Sequence, residues 1–461
     1  MITMTIHTNT DYVIIDDFKN ELGAFFQAKG YLCIHIKSDS SLPNTYKFKE
    51  FDLIKVLTYD AAKKDTFFTE LKSDYKIKCV IAFGESGIPL ADEMNAYFGL
   101  RGNNPNLSYA RRDKYFMAET VAKHGIRTVP HIKSSSVDDI LTWAEQQPKN
   151  QYPLVLKPLS SKNSDNVFFC RTEEEIKKAF AIISSSQDLF GQSNQEVLAQ
   201  TYNKGEEYIV NTVSCFGEHY PSEVLRVKRI APDSIIYDYA EIVHSNDPIF
   251  DSLVEYTKKV LSAVGVENGP ATTELKYDPK SKTVTLLETA SRPMSNAPKL
   301  LIEEACGHSQ AGLTVESCLQ PNIFLKQIEI ASSYQHAMIV VLQSKVEGIL
   351  QQELDITEIA SLKTYNGSNI GVAQGSKIDI TTNPSTAPGE IYLMGTNRAA
   401  LIADLAQIRE FEKTLYQNAL NPMLKSPSLT ELVAAANSPV FFSLPPARGS
   451  VSVPLPCMLS A

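Results

Sequence analysis

Residues Glu274–Arg292, ELKYDPKSKTVTLLETASR, combine side chains and spacings that fit a chemical role. Glu274 ends an extended apolar run, and Asp278, Pro279 and Lys280 supply turn chemistry. Thr283 to Glu288 alternates and reads as a second strand. A hairpin built this way brings Glu274 and Glu288 side by side. Two adjacent carboxylates repel unless a cation lies between them. Hard oxygen ligands suit Mg²⁺, which is held by one or two carboxylates together with substrate phosphates; Mn²⁺ accepts the same donors. Arg292, four residues beyond Glu288, is in reach of an anion beside such a metal. An exposed hairpin carrying surface charges is the competing reading of this stretch alone.

The elements that must position these residues are legible in outline. In residues 12–100 short apolar runs (Tyr12–Ile15, Leu32–Ile36, Leu53–Leu57, Cys79–Phe83) alternate with helical patterns (Asn20–Lys29, Ala61–Lys72). Such alternation predicts a parallel α/β sheet with right-handed crossovers. Loops at strand C-ends are where open α/β sheets place ligands, so Glu85 and Ser86, after Gly84, are candidate substrate contacts. Neither GxGxxG nor GxxxxGK[ST] is present.

Residues 108–128 are expected to form a helix with Ser108 as N-cap and Gly125 at its end. Arg111, Arg112 and Lys114 fall in its first turns, where the helix dipole disfavours cations, and an anion to bind or a solvated basic face accounts for them. YPLVLKP reads as a strand whose lysine, Lys157, needs a partner for its charge. The polar loop after it offers Ser160, Ser161, Asn163 and Ser164 as donors to phosphate oxygens; an ordinary hairpin turn is the alternative. Thr172–Phe180 reads as a helix with a Thr172/Glu175 capping box. An antiparallel sheet follows from EVLAQTYNKGEEYIVNTVSCFG, PSEVLRVKRI and SIIYDYAEIV, then a helix over Asp251–Val264. Beyond the carboxylate hairpin come a helical stretch, 297–319, a β-rich region from Gln335 to about Thr396 and a helix over Arg398–Leu420. The last forty or so residues are poor in charge and include Pro439, Pro445, Pro446, Pro454 and Pro456, which predicts an extended or disordered tail, or one docked as a strand at most. Trp143 is read as packing, and Cys306 with His308 as divergent on a helix.

With 461 residues, 43% hydrophobic and 21% charged, the chain is ordinary globular protein of two to four domains. Its net charge of −9 argues against a dedicated nucleic-acid binder. Seven scattered cysteines without a CxxC pair read as reduced thiols. The absence of HExxH leaves zinc hydrolysis unsupported. No apolar run approaches the roughly 20 residues that span a bilayer, and no signal peptide is read at the N-terminus, so a cytoplasmic location and no membrane partner are expected.

The order RRDKYFMAETVAKHGI, YPLVLKPLSSKNSDNV, EVLAQTYNKGEEYIV, TTELKYDPKSKTVTLLETASRP resembles the ATP-grasp superfamily of carboxylate–amine ligases over roughly residues 75–320. Within it the chain is most similar to bacterial L-amino acid ligases that make dipeptides. The resemblance implies an ATP-grasp fold of α/β (α+β) class. An N-terminal pre-ATP-grasp domain would span 1–105 and the core 106–330, with a small lobe at about 130–202. A β-rich C-terminal domain would span 331–425, and the tail 426–461. It implies ATP and Mg²⁺ (or Mn²⁺) as cofactors, small-molecule amino acids as substrates and a homodimer. It further implies that Lys114 and Lys157 neutralise phosphate charge and that Ser160, Ser161 and Ser164 belong to a lid. By the same resemblance Gln200, Thr201 and Tyr202 meet adenine, Glu207 binds the ribose, Glu274 and Glu288 hold the metal, and Arg292 holds the transferred phosphate. Two departures stand out: Ala290 occupies a position often filled by a metal-ligating Asn, and Asn296 replaces a bulkier residue, leaving room in the substrate pocket.

The chemistry implied is conversion of a carboxylate into an acyl phosphate and its displacement by an amine, which asks the protein for positioning and charge stabilisation. No general base is obvious; Glu85, Glu241 and His244 are candidates beside their plainer structural roles. Other ligases of the superfamily, and a non-catalytic nucleotide-binding module, are the alternatives. The second is disfavoured by the intact pair of carboxylates.

Overall fold

The computed structural model describes residues 7–40, 42, 48, 55–148, 152–160, 165–188, 191–232, 234–295, 297–327 and 335–421. Ser161, Asn163, Ser164, Asn296 and the Pro-containing tail lie outside the described residues. The chain divides into two compact units, one of residues 1–228 and 240–336, the other of residues 229–239 and 337–458.

The first unit begins with the expected parallel sheet. Its strands run in the order Lys55–Thr58, Tyr31–Lys37, His7–Ile15, Ile77–Ala82. Val13, Ile15, Ile34, Ile36 and Val80 face one apolar cluster, whereas Tyr12, Ile14, Cys33, Cys79 and Ile81 face another that includes Ala311 and Val315. This two-sided burial is what near-continuous apolar strands require. At the strand C-ends, Asp16 accepts from Ser38 N (2.8 Å), Ser38 Oγ (2.6 Å) and Ser86 Oγ (2.6 Å). Gly84 is needed there because a Cβ would stand 2.4 Å from that of Asp16.

Next comes a four-stranded antiparallel sheet ordered His131–Ser134, Val197–Thr201, Leu154–Pro158, Phe168–Cys170. Helices Val137–Glu145 and Glu173–Ser185 close its core through Ile140, Ala144, Ile176, Ala179 and Ile183. The Thr172 capping box forms by half: Thr172 Oγ1 accepts from Glu175 N, but the Glu175 carboxylate turns to Arg171 N. A second antiparallel sheet follows with the order Thr283–Ala290, Gly269–Asp278, Glu206–Cys215, Glu218–Arg229. Helix Phe250–Ala263 buries Leu253, Val260 and Leu261 against its inner face, on which Tyr208, Val210, Leu275, Val284 and Leu286 lie. Helices Lys299–Cys306, Gln310–Leu319 and Pro321–Gln327 fill the expected helical stretch.

The helix expected over 108–128 is corrected. Its first part is two 3-10 turns, Pro105–Leu107 and Tyr109–Arg111, and the α-helix is Lys114–Lys123. Its N-cap is Asp113, whose carboxylate accepts from Tyr115 N (2.9 Å) and Phe116 N (3.0 Å). Ser108 caps nothing and donates to Asp92 (2.6 Å). Gly125, with φ +71°, follows the helix end as predicted.

In the second unit the strands His336–Val341, Gly389–Gly395 and Tyr365–Ile370 are packed by helix Arg398–Leu420 through Leu401, Leu405, Ile408 and Leu415. No helix among the described residues is long and apolar enough to cross a membrane.

Two buried titratable groups of the parallel-sheet region oppose each other. Burial lowers the His35 pKa to about 4 and raises that of Asp17 to about 6. As pH falls below the ordinary histidine value, the unfolded chain takes up the His35 proton first and stability is lost. As pH falls below about 6, native Asp17 takes up its proton first and stability is gained. The two contributions offset between about pH 4 and 6. Removing one by His35→Leu is expected to leave a fold whose stability rises as pH drops from about 6 to 4 more steeply than the wild type, read by urea unfolding across that range.

Candidate active site

The carboxylate hairpin forms, and its register decides the site. Glu274 and Glu288 are direct cross-strand partners, which places their Cβ atoms about 5 Å apart. The next pair is Leu275 with Leu286, so Leu287 is an extra residue on its strand. Strict alternation would put Glu288 on the face of Val284 and Leu286, which is the apolar one. The bulge at Leu287 turns Glu288 to the opposite face, beside Glu274. This corrects the simple alternation read through Thr283–Glu288.

Lys114, the first residue of its helix, is 8% exposed and pairs with Glu288 at 3.1 Å. Its N–H donates to the Leu159 carbonyl (3.0 Å), tying the helix start to the end of the Lys157 strand. Lys157 is as deeply buried. Burial works against the charge on Lys114, but the carboxylates of Glu288, Glu85 and Glu274 outweigh it and hold its pKa above the ordinary value. Lys157 is pushed down to about 8, by burial and then by the charge of Lys114. Burial would raise the Glu288 pKa, yet Lys114, Lys157 and Arg292 together keep it below the carboxylate range.

Arg292 is 2% exposed; Nη1 donates to its neighbour's carbonyl at Pro293 (2.9 Å) and Nη2 lies 3.5 Å from Glu85 Oε2. The segment is pinned on both sides, by Thr272 Oγ1 donating to Arg292 O (3.2 Å) and by Met294 N donating to the Gln310 side chain (2.9 Å). Glu207, on the neighbouring strand, pairs with Lys276 at 3.1 Å. Lys276 is two residues beyond Glu274 and shares its face, a residue that the strand period could have flagged. Gln200 and Thr201 are buried in the four-stranded sheet, and Tyr202 sets its ring edge-on to Phe169. Ser160 is half-buried just beyond the Lys157 strand.

The remaining candidates have partners of their own. Ser86 spends its hydroxyl on Asp16. Glu241 belongs to an ion network with Arg226 (3.2 Å), which also holds Asp247. His244 packs against the His336 ring at 4.2 Å, and burial lowers its pKa. Arg111 is not anion-binding: fully buried, it pairs with Asp92 (2.6 Å) and donates to the carbonyls of Val264, Gly265 and Asn104. Ala290 packs in the apolar cluster of the parallel sheet, where an Asn would lose its hydration.

No group of three or more His, Cys, Asp or Glu that could hold a metal ion occurs among the described residues. Two carboxylates are nonetheless the set Mg²⁺ takes when nucleotide phosphates complete its shell, and Glu274 and Glu288 on one face beside two buried lysines fit that arrangement.

The chain as a whole is similar to several known proteins. The L-amino acid ligase of Bacillus licheniformis superposes with a TM-score of 0.70 at 15% identity, over 88% of this chain and 98% of that one. The fold is ATP-grasp. In sequence the chain is 29% identical over 429 residues to dapdiamide A synthase of Enterobacter agglomerans, covering 90% of this chain and 99% of that protein. It is 22% identical over 264 residues to an L-arginine-specific L-amino acid ligase of Bacillus subtilis, covering 55% and 61%. No family model matches. The chain thus resembles the carboxylate–amine ligases built on the ATP-grasp fold.

Three changes test what the hairpin register and the buried Arg111–Asp92 pair contribute. Deleting Leu287 removes the bulge but leaves the pairs Leu275–Leu286 and Glu274–Glu288 in plain alternation, so Glu288 stays beside Glu274 and calorimetric ADP binding is expected to be kept. Leu287→Ala keeps the bulge, and calorimetric ADP binding should survive. Arg111→Ala, which strands a buried Asp92, is expected to cost about 3–5 kcal/mol in unfolding without changing ADP affinity in the folded protein.

Proposed function

We propose that the protein is an ATP-dependent ligase that joins two L-amino acids through an acyl phosphate, releasing ADP and phosphate. The observation that carries this reading is the pairing of Glu274 with Glu288 on one face, within reach of buried Lys114, Lys157 and Arg292. Glu274 and Glu288 would hold a Mg²⁺ ion accompanying the nucleotide, which would supply charge neutralisation during phosphoryl transfer. Lys114 and Lys157 bind the phosphate chain, and their burial strengthens each contact by excluding water. Gln200, Thr201 and Tyr202 border the adenine, and Glu207, fixed by Lys276, accepts from the ribose hydroxyls.

Arg292 holds the phosphate as it passes to the substrate carboxylate, Glu85 keeping the guanidinium oriented until the anion arrives. An amine then attacks the acyl carbon and phosphate leaves. Positioning and electrostatics account for the steps without a covalent side chain. The similarity to an amide-forming synthase over nearly the whole chain supports the reaction type.

Phosphate release from ATP and Mg²⁺, screened against all pairs of amino acids with mass spectrometry of products, tests the reading. ADP, phosphate and a dehydrated dimer mass with particular pairs are expected. Phosphate release only with an acceptor that is not an amino acid, or none with retained ATP binding, would contradict it.

A further inference from the structure

The site face of the central sheet carries a second polar group that none of these steps uses. Thr272 pairs in register with both Ala290 and Asn211, and Asn211 pairs with Glu223. This row lies two residues along the strands from the row of Glu288 and Glu274. Two residues along and two strands across put the Glu223 backbone about 12 Å from that of Glu274. A phosphate and an amino acid laid end to end cover that distance.

The three side chains here are deeply buried: Asn211 0%, Glu223 4% and Ser222 5% exposed. Asn211 Nδ2 donates to Glu223 Oε1 (2.7 Å) and lies 3.6 Å from Met294 Sδ, two residues beyond Arg292. Asn211 Oδ1 and Glu223 Oε2 accept no well-formed hydrogen bond among the described residues, and the Ser222 hydroxyl has only the Glu223 carboxylate beside it. A buried polar atom left so costs about 1–3 kcal/mol, and such acceptors gathered in one cluster call for a ligand. Burial raises the Glu223 pKa, so its charge is stabilised once a cation meets it. Asn211 Oδ1 and Glu223 Oε2 are acceptors only, and Ser222 Oγ, while donating to Glu223, still has lone pairs to accept with. Their complement is a group with several N–H donors and a positive charge.

We propose that Asn211, Ser222 and Glu223 form the subsite for a primary ammonium group of one amino acid substrate. The proposal rests on the ligase reading, and the ammonium is either the α-amino group or a side-chain amine. Glu223 neutralises it, Asn211 and Ser222 take its remaining N–H groups, and Met294 links the subsite to the Arg292 segment.

Calorimetric titration of the full chain with ADP and Mg²⁺ present, using L-norvaline, N-acetyl-L-norvaline and L-ornithine as probes, tests this without requiring turnover. Its failure is therefore distinguishable from failure of the ligase reading. The wild type is expected to bind at least one probe carrying an ammonium group and to reject N-acetyl-L-norvaline if the α-amino group is the one bound. Glu223→Gln should weaken that binding about 10- to 100-fold, and Ser222→Ala less. A loss seen with norvaline assigns the α-amino group, and a loss confined to ornithine assigns the side chain. With the amino acid pair that the enzyme joins, KM for one partner rises while KM for ATP stays. Unchanged probe affinity in both variants, a lowered Tm as the sole effect, or no binding of either ammonium probe by the wild type would overturn the proposal.

Discussion

Two carboxylates side by side on one face of a sheet repel, and everything around Glu274 and Glu288 answers that repulsion. They are neighbours because a single extra residue, Leu287, shifts the hairpin register between the apolar pair Leu275–Leu286 and the acidic pair. Were Leu287 paired as an ordinary strand residue, the sheet would have to choose between burying Glu288 and exposing Leu286. With Leu287 bulged, one face stays apolar over Tyr208, Val210 and Val284 and the other is free for charge. The cost of gathering negative charge there is met by cations brought from outside the sheet. Lys114 arrives at a helix start and Lys157 on a strand of a different sheet.

That arrangement leaves the lysines unequal. Lys114 has a direct carboxylate partner and its charge is secured. Lys157 has burial and a neighbouring ammonium against it, and its pKa falls to about 8. The carboxylates of Glu288 and Glu274 offset this only in part, so under the proposed reading an incoming phosphate chain would add the negative charge that secures the Lys157 ammonium. Arg292 is likewise only loosely engaged by Glu85 while its backbone is pinned by Thr272 and Gln310. Firm backbone and loosely paired guanidinium are what a group waiting for an anion needs.

Much of this was legible because chemistry-bearing residues obey short-range rules. The alternation of strands and helices through residue 100 announced the parallel sheet, and Gly125 and Arg398–Leu420 marked helix limits that hold. The acidic pair was readable from turn chemistry and spacing. What failed did so where tertiary context outweighs local pattern. Arg111 and Lys114 look alike in sequence, yet one is locked on Asp92 and the other faces Glu288. Ser108 is a good cap by type, but Asp113 stands where the helix starts. The Leu287 bulge leaves no compositional mark, and the Asn211–Ser222–Glu223 cluster joins two strands whose register no local pattern reveals.

Under the proposed reading, the paired carboxylates would hold a divalent cation together with nucleotide phosphates. The most direct measurement is electron paramagnetic resonance of Mn²⁺ titrated into the protein with ADP present, for the wild type, Glu274→Gln and Glu288→Gln. The account predicts nucleotide-dependent Mn²⁺ binding in the wild type and its loss in both variants, while helical content is kept. Equal Mn²⁺ binding in all three proteins would contradict it.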